Sequence, residues 1–323
     1  MRQLQLPAIE GTRCNLRRDR IVPAFRGLFW ALLLLVALVG ALQLMESGRV
    51  FTVRSYVRAE RLWSREFPIV SAKGWLRRLD PALVRVGLLR PVRVEVEPGI
   101  TLTLNPEDAI SRTILVNRAG QWEPEIWGAI SSGLSQGAVF FDVGAHIGYD
   151  TLKASILVGD TGRVIAFEPN PHTLLQLKSN IEDSAARNVI VEPIACTDTD
   201  TTLTLFDSTL GGNSGSSSLS RENAGRITRS YAVRGRPIDS VVTELGLQRL
   251  DVMKADVEGA ELAVLRGATH TLERFHPKLI LEVVQRQLAN MGTSVDELEA
   301  FVRSLGYHNS RQIDRNNREY TVN

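Results

Sequence analysis

The stretch Val-Phe-Phe-Asp-Val-Gly-Ala-His-Ile-Gly-Tyr-Asp-Thr, residues 139–151, predicts a strand, a tight turn and a helix in direct succession. Its first three residues are apolar and β-favouring, as expected for a buried strand of a parallel sheet. Asp142 ends this run, and Gly144 and Gly148 allow the backbone to turn sharply before the helix. Such a turn brings a ligand against backbone N–H groups at a helix N-terminus. A tight βα turn that binds nothing would keep the same two glycines, so both interpretations stay open at this point.

Two kinds of nucleotide cofactor fit a glycine turn of this type. A dinucleotide site needs Gly-x-Gly-x-x-Gly, whereas the spacing here is Gly144-x-x-x-Gly148, with His146 where the middle glycine would stand. An acidic residue followed by Gly-x-x-x-Gly is similar to the S-adenosylmethionine (SAM) turn of class I methyltransferases. The spacing therefore favours SAM, and a dinucleotide-dependent oxidoreductase remains the weaker alternative.

The segments around this turn alternate between β-type and α-type patterns, which predicts an α/β fold with a doubly wound, mostly parallel, Rossmann-like sheet. A strand–turn–strand pattern at residues 92–104 precedes it, and the small-residue stretch 211–220 favours a flexible surface linker over a loop beside the substrate. The predicted strands begin at 139, 164, 189, 201, 252 and 279, with two short ones around 307 and 320, and the predicted helices are 121–133, 151–158, 172–183, 259–266 and 295–305.

Four acidic residues each lie at the carboxyl end of a predicted parallel strand: Asp142, Glu168, Asp256 and Glu282. Ligands bind at this edge in open α/β sheets, so we expect the four carboxyl groups to lie close together. A single acid in such a place is often only a cap for the next helix. Glu168 follows the strand after the glycine turn, where a carboxylate can accept hydrogen bonds from both hydroxyls of a ribose.

The composition separates a basic N-terminal part from an acidic remainder. Of 38 Lys and Arg, 17 lie in residues 1–95 together with 7 of the 36 Asp and Glu, so residues 96–323 carry 21 basic against 29 acidic side chains. An acidic domain argues against a nucleic-acid substrate, which requires basic surface. The two cysteines, Cys14 and Cys196, are too few and too distant in sequence for a disulfide framework or a metal cluster, so no metal is expected.

The sequence pattern of residues 1–45 predicts a membrane anchor. An arginine-rich tail, 1–26, precedes residues 27–45, which are uncharged, long enough to span about 30 Å of hydrocarbon, and carry Trp30 near one end. A cleaved signal peptide is the competing interpretation, but the apolar run is longer than a typical one. Residues 46–91 follow as a basic connector, and residues 92–323 as the catalytic domain.

The orientation in the membrane does not follow from charge, because five arginines flank the span on each side. Arginines at 49–65 recur close to one helical face, which is typical either of a helix lying on anionic headgroups or of an ordinary solvated face. Because SAM is made in the cytosol, we expect a single-pass protein with its catalytic domain on the cytoplasmic side.

The chain resembles the FkbM family of SAM-dependent methyltransferases over roughly residues 95–310. The segment Lys-Ala-Asp-Val-Glu-Gly-Ala-Glu at 254–261 is the most specific part of the resemblance, and the others are weak singly. The other matching segments are Trp-Glu-Pro at 122–124, the glycine turn at 141–148, Ala-Phe-Glu-Pro-Asn at 166–170, Leu-Arg-Gly-Ala at 265–268 and Pro-Lys-Leu-Ile-Leu-Glu at 277–282. The chain departs from the family's common residues at Trp122, His146 and Asp150.

The resemblance implies a set of cofactor residues. Asp142, Gly144, His146 and Gly148 would surround the methionine end of SAM, with backbone N–H groups available to its carboxylate. Glu168 would hold the ribose. Asp198 would meet the adenine amine, unless it is a solvent-facing turn residue.

The implied reaction is O-methylation of a hydroxyl on a sugar, glycolipid or lipid-linked metabolite. A hydroxyl acceptor must lose its proton, and Asp256 and Glu258 are the candidate bases. The alternative for Glu258 is that it only caps the following helix. His146 as a base is a weaker hypothesis, and a membrane-tethered SAM-binding module without catalysis remains an alternative to the enzyme.

Overall fold

The computed structural model describes residues 45–66, 79–116, 122–208 and 212–322. The predicted tail and almost all of the predicted membrane span, residues 1–44, lie outside the described residues. No helix in the described ranges combines the length and apolar character needed to cross a membrane. The chain divides into two compact units, 1–52 and 53–323, and residues 45–52 are the described part of the first.

Strands and helices alternate through most of the second unit, as the sequence pattern predicts. In chain order, the strands of the described residues are β1 (Val92–Glu97), β2 (Ile100–Leu104), β3 (Val139–Val143), β4 (Arg163–Phe167), β5 (Val189–Glu192), β6 (Ala195–Cys196), β7 (Thr201–Asp207), β8 (Arg229–Arg236), β9 (Val252–Ala255), β10 (Lys278–Glu282), β11 (Asn309–Gln312) and β12 (Asn317–Thr321). The helices are α1 (Glu46–Glu66), α2 (Asp80–Arg85), α3 (Ala109–Val116), α4 (Pro124–Ser131), α5 (Tyr149–Val158), α6 (Pro171–Asp183), α7 (Ile238–Glu244), α8 (Glu261–Arg266), α9 (Thr269–Phe275), α10 (Gln285–Asn290) and α11 (Val295–Ser304).

Seven strands form the central sheet in the order β11-β12-β10-β9-β3-β4-β5. The five from β10 to β5 are parallel, and β12 pairs antiparallel with both β10 and β11. The chain moves outward from β3 through β4 to β5, then crosses back to β9 on the other side of β3. The order therefore reverses between β3 and β9, and the crevice at the carboxyl ends of these strands is the expected ligand site. The predicted mostly parallel α/β sheet is confirmed.

Apolar side chains cover both faces of this sheet because helices pack on each side. The five residues of β3 are all buried, and Phe141 and Phe167 pack edge to face with their ring centroids 5.5 Å apart. One face joins β3, β4, β9 and β10 to helices α8, α9 and α11, whereas Phe140 on the opposite face packs in a cluster with residues of α4 and α5. Continuous apolar strands of this type are typical of sheets that helices cover on both faces.

Two smaller sheets stand beside the central one. β1 and β2 form the antiparallel hairpin that the sequence predicts, and β6, β8 and β7 form a three-stranded sheet in that order. The antiparallel pair β7–β8 lies on either side of the stretch 208–228, which includes the described part of the small-residue stretch. Strand β8 was not predicted from the sequence, because apolar and polar residues alternate only weakly in its sequence, Arg-Ser-Tyr-Ala-Val-Arg-Gly-Arg.

The compact unit begins earlier than the predicted domain boundary at residue 92. Val53 and Val57 of α1 are buried, and Tyr56 Oη donates a hydrogen bond to Asp80 Oδ1 of α2 over 2.5 Å. Asp80 in turn accepts from the buried guanidinium of Arg112 in α3. Part of the predicted connector 46–91 is therefore integral to the folded unit, because its Asp80 pairs with the buried charge of Arg112.

Candidate functional site

A cavity of about 330 Å³ opens at the carboxyl edge of the central sheet, around the switch point between β3 and β9. Its volume is within the range of small-molecule sites. The four acids predicted to share this edge all line it: Asp142, Glu168, Asp256 and Glu282. The parallel register explains this, because β3, β4, β9 and β10 end side by side.

The glycine turn between β3 and α5 forms one wall of the cavity. Gly144 has a φ of +87°, and a Cβ there would lie 2.0 Å from the backbone oxygen of Asp256. Gly148 has a φ of +89° and immediately precedes α5. Only glycine permits the close approach of the β3 turn to the strand end at β9.

The backbone N–H groups of this turn are mostly used within the protein, contrary to the expectation that they are available to a ligand. The N–H groups of Gly144 and Ala145 both donate to the Phe167 oxygen over 3.0 Å, and that of Gly148 donates to the Ala145 oxygen over 2.9 Å. The His146 N–H donates to Glu168 Oε2 over 2.9 Å. The turn binds β4 through these donors, so they shape the cavity instead of capturing an anion.

Glu168 lies just after β4 with its carboxylate fixed by two backbone donors. Oε1 accepts from the N–H of Asn170 over 2.8 Å and Oε2 accepts from that of His146. Each carboxylate oxygen has capacity for one more hydrogen bond, which leaves Glu168 able to accept from a diol. Burial raises the pKa of Glu168 to about 7, although the two backbone donors oppose this shift.

A buried ion pair crosses the floor of the cavity. Lys254 Nζ lies 3.1 Å from Asp150 Oδ2 and 3.4 Å from Asp256 Oδ2. Burial alone would lower the pKa of Lys254, but the attraction of Asp150 and Asp256 raises it well above its ordinary value. Lys254 is part of the most specific sequence segment, and Asp150 is one of the departures from the family's common residues. Their pairing connects β9 to α5, which residue spacing alone does not reveal.

Asp142 at the end of β3 has one satisfied and one unsatisfied oxygen. Oδ2 accepts from Thr151 Oγ1 over 2.5 Å, whereas Oδ1 is buried and has no hydrogen-bond partner among the described residues. Burial raises the pKa of Asp142 to about 6. A buried acceptor without a donor is costly, so Oδ1 is a natural position for a ligand donor.

Glu258 lies in the turn after β9, in a strained backbone conformation with a φ of +56°. Its backbone oxygen accepts from Asn223 Nδ2 over 2.8 Å and from Ser218 Oγ over 3.2 Å, and its carboxylate Oε2 accepts from Gln287 Nε2. Burial, and then the charge of Asp256, raise the pKa of Glu258 to about 8. Strain held in place by several contacts is frequent at functional sites.

The capping alternative for Glu258 does not match this geometry. Helix α8 begins at Glu261, and it is the Glu261 carboxylate that accepts from the N–H groups of Val257 and Gly259, over 3.2 and 3.1 Å. The Glu258 side chain contacts Gln287 instead and lines the cavity.

Two further carboxyl groups line the cavity. Burial raises the pKa of Glu282 to about 10, with Asp256 adding to the shift, and Glu282 Oε2 has no hydrogen-bond partner in the described part of the chain. Burial also raises the pKa of Glu123, from the Trp-Glu-Pro segment, to about 7. Glu123 has a φ of +45° and sits directly before α4. The cavity is therefore acidic, with Lys254 as its buried cation.

Asp198 is not brought to the site. It lies exposed on the loop after β6, where Thr197 Oγ1 is 3.3 Å from its carboxylate, and it does not line the cavity. The short strand β6 explains its position, since residues 195 and 196 pair with β8 and direct the chain away from the sheet edge. Apolar residues from this part of the chain and its neighbours do line the cavity: Phe167, Ile194, Ala195, Cys196 and Leu205.

The small-residue stretch proves to be a wall of the cavity, not a surface linker. Residues 213–219 line it, and Asn170 Nδ2 holds the loop by donating to Ser217 Oγ over 3.2 Å and to Asp207 Oδ1 over 2.9 Å. His146 Nε2 lies 2.7 Å from Ser214 Oγ, which is 2.8 Å from Asp108 Oδ1. Composition could not reveal these contacts, because serine and glycine are equally common in free linkers.

Comparisons with known proteins identify the family of the chain. The sequence profile described as the methyltransferase FkbM domain matches residues 142–308, about half of the chain.

Among curated proteins, the chain is 30% identical over 135 residues to the hexuronic acid methyltransferase AglP of Haloferax volcanii, covering 42% of this chain and 52% of AglP. It is 26% identical over 245 residues to the AMB antimetabolite synthetase AmbE of Pseudomonas aeruginosa, covering 66% of this chain and 11% of AmbE. The chain thus spans about half of one relative and a small part of the other. A solved structure of a methyltransferase FkbM from Methylobacillus flagellatus matches with 20% identity and a TM-score of 0.40, over 58% of this chain and 44% of that one.

Proposed function

Since the chain belongs to the FkbM methyltransferase family, we propose that it methylates a hydroxyl group on a sugar, glycolipid or lipid-linked metabolite, with SAM as the donor. The observation that carries this proposal is the acidic cavity at the β3–β9 switch point, with the glycine turn on one side and Glu258 on the other. The bound donor supplies an electrophilic methyl group on a sulfonium.

The residues of the cavity fit SAM. Gly144 and Gly148 allow the β3 turn to pack against Asp256 and Leu177, which shapes this wall of the cavity, and the unpartnered Oδ1 of Asp142 suits a cationic ammonium donor. Glu168 retains acceptor capacity for the ribose hydroxyls, and apolar lining residues such as Phe167 and Leu205 suit a purine. A cavity rich in carboxyl groups also favours a ligand that carries a sulfonium charge.

Glu258 is the better-placed base for the acceptor hydroxyl. A general base works best when its pKa lies near the working pH, and the pKa of Glu258 is about 8. With SAM bound, the Glu258 carboxylate would take the hydroxyl proton while the acceptor oxygen bonds to the methyl carbon, and the carbon–sulfur bond would break to leave a neutral thioether. Asp256 is paired with Lys254, so it contributes mainly negative charge that keeps this lysine in place.

Most of the rate enhancement would come from positioning, because methyl transfer is an in-line displacement. The strained turn at Glu258 is held by Asn223, Ser218 and Gln287, so the base cannot rotate freely. Residues 213–219 form part of the cavity wall beside this turn.

Two observations support the acceptor class. The hexuronic acid methyltransferase AglP, a relative by sequence, acts on a sugar acid as its name states. The predicted membrane span at residues 27–45 supports an acceptor held in or at a membrane. The cytosolic supply of SAM supports a catalytic domain on the cytoplasmic side.

The first experiment is calorimetric titration of SAM into the full-length protein in detergent. We expect binding that weakens at least tenfold in Glu168→Ala, because the ribose loses its carboxylate partner. Glu192→Ala is the matched control, since Glu192 also ends a parallel strand, β5, but does not line the cavity. Binding of NAD in place of SAM, or no binding of SAM to folded protein, would refute the proposal.

The acceptor is then sought with SAM labelled in its methyl group. We expect label in the membrane lipid fraction with the native protein and none with Glu258→Gln, which still binds SAM. Labelling confined to soluble metabolites would exclude the lipid-linked part of the proposal, and SAM binding without any labelled product would favour a binding module over an enzyme.

A further inference from the structure

A chain of hydrogen bonds crosses the cavity wall from α3 to the glycine turn. Asp108, directly before α3, accepts at Oδ1 from the N–H of Ser214 over 2.7 Å and from Ser214 Oγ over 2.8 Å. His146 Nε2 lies 2.7 Å from the same Ser214 Oγ. Asp108 is 4% and Ser214 8% exposed, so these contacts are shielded from water.

The direction of each hydrogen bond in this chain is determined by the donor count. Asp108 accepts two hydrogen bonds at Oδ1, and its Oδ2 accepts a third, from the N–H of Ser111 over 2.8 Å. It acts as acceptor only, so the single hydroxyl proton of Ser214 points to Asp108. His146 Nε2 must then be the donor to Ser214 Oγ, because otherwise two lone pairs would face each other.

A histidine that donates from Nε2 and is neutral carries its lone pair on Nδ1. Burial lowers the pKa of His146 to about 4, although Asp108 opposes the shift, so the ring is neutral at physiological pH. With so low a pKa, Nδ1 is a weak base but still a competent hydrogen-bond acceptor.

We propose that Asp108 and Ser214 are positioning residues that hold His146 in its Nε2–H tautomer, so that Nδ1 accepts a hydrogen bond from the ammonium group of bound SAM. This inference rests on the proposed function. His146 belongs to the turn that follows β3, the strand whose Asp142 Oδ1 lacks a donor. At the amino-acid end of SAM, the ammonium is the group with N–H donors, and Glu168 is the acceptor for the ribose.

The first test compares two ligands that differ at the amino-acid end. S-adenosylhomocysteine carries the ammonium and carboxylate, whereas 5′-methylthioadenosine lacks both. For the full-length chain, His146→Leu is expected to weaken S-adenosylhomocysteine binding about tenfold while changing 5′-methylthioadenosine binding less than twofold. His146→Asn retains an acceptor oxygen and tolerates the φ of +51°, so it should recover most of the affinity.

The second test reads the tautomer directly by ¹⁵N NMR of the histidine side chains. The chain has five histidines, and the His146 signals are assigned by their loss in His146→Asn. We expect a pure Nε2–H pattern in the native protein and a mixture of tautomers in Ser214→Ala and Asp108→Asn. Ser208→Ala is the matched control: Ser208 Oγ holds the same loop by donating to the Asn213 oxygen over 2.7 Å, without contacting His146.

The outcomes separate this inference from the proposed function. Binding of both ligands with no selective loss in His146→Leu overturns the inference and leaves the methyltransferase proposal intact. An Nδ1–H tautomer, or an unchanged tautomer in Ser214→Ala, overturns it as well. If the native protein binds neither ligand, both proposals fail together.

Discussion

At the scale of single residues, Gly144 is the position with the least freedom in the cavity wall. The distance of 2.0 Å from its hypothetical Cβ to the backbone of Asp256 cannot be relieved by rotating a side chain. Gly246 also has a positive φ, +60°, but nothing lies within 4 Å of its Cβ position. A comparison of the two positions therefore distinguishes the effect of a steric clash, present only at Gly144, from the effect of a left-handed backbone, present at both.

We predict that Gly144→Ala abolishes measurable SAM binding and lowers the unfolding temperature, because the β3 turn and the β9 end must move apart. Gly246→Ala should lower the free energy of unfolding by only about 1 kcal/mol, the strain of the positive φ, and leave SAM affinity unchanged. Calorimetric titration and thermal unfolding of both variants measure this. Equal SAM affinity in the two variants would contradict the steric argument.

The raised pKa of Glu168 leads us to predict that cofactor binding depends on pH. Its pKa is about 7 in the free protein, and ribose hydroxyls donate to the carboxylate form, so binding favours loss of the proton. SAM affinity should therefore rise at least tenfold from pH 5.5 to pH 7.5. It should rise much less in Glu168→Gln, where Asp142, with a pKa of about 6, still titrates in this range. Titrations in buffers of different ionisation enthalpy should show proton release near pH 6. A flat profile in the native protein would rule out this contact.

At the scale of elements, helices α1 and α2 support the cavity from outside the methyltransferase profile. They reach α3 through Tyr56, Asp80 and the buried Arg112, and α3 in turn lines the cavity with Ile110 and Ile114. A predicted domain starting at residue 92 would omit Asp80. The family resemblance begins near residue 95, so these helices are an addition on which the domain depends.

We predict that Asp80→Asn lowers the free energy of unfolding by about 3 kcal/mol, because the buried guanidinium of Arg112 loses a carboxylate partner. Asp183→Asn is the control, since Asp183 pairs over 2.8 Å with Arg93, whose side chain is 50% exposed, and should cost less than about 1 kcal/mol. Urea unfolding of both variants makes the comparison. Equal losses would mean that α2 is only a peripheral attachment.

At the scale of the whole molecule, the folded unit contains several carboxyl groups whose pKa values are raised by burial. Glu168 and Glu261 titrate near 7 and Glu258 near 8, all well above their ordinary values. The folded state therefore binds more protons than the unfolded state between pH 6.5 and 8.5. Stability must fall as the pH rises through this range.

We predict a thermal unfolding temperature several degrees lower at pH 8.5 than at pH 6.5. Glu261→Gln should reduce this dependence, because it removes one buried acid while keeping an acceptor for Val257 and Gly259. Differential scanning calorimetry without ligand measures both proteins. A rise in stability with pH over this range would mean that these carboxyl groups ionise at their ordinary pKa values.

Much of the architecture could be predicted because it depends on local pattern. The apolar run before Asp142, the alternation of strands and helices and the hairpin at residues 92–104 all match the structure. The four strand-end acids follow from the same pattern, since parallel strands end at one edge. Asp198 lies outside the cavity because the two-residue strand β6 directs the chain away from the sheet edge, and so short a strand shows no periodicity in the sequence.

The sequence by itself determined the α/β fold, the family and the identity of the acidic edge, because strand period, glycine spacing and strand-end position are properties of short segments. Only the tertiary structure decided that the Gly144 turn contacts Asp256, that Lys254 pairs with Asp150, and that Ser214 joins Asp108 to His146. These contacts join residues from 68 to 112 positions apart, from His146 and Ser214 at the lower end to Gly144 and Asp256 at the upper. Such partners meet only when β3 and β9 pack side by side and the small-residue stretch packs against the glycine turn. No local sequence pattern therefore predicts these contacts.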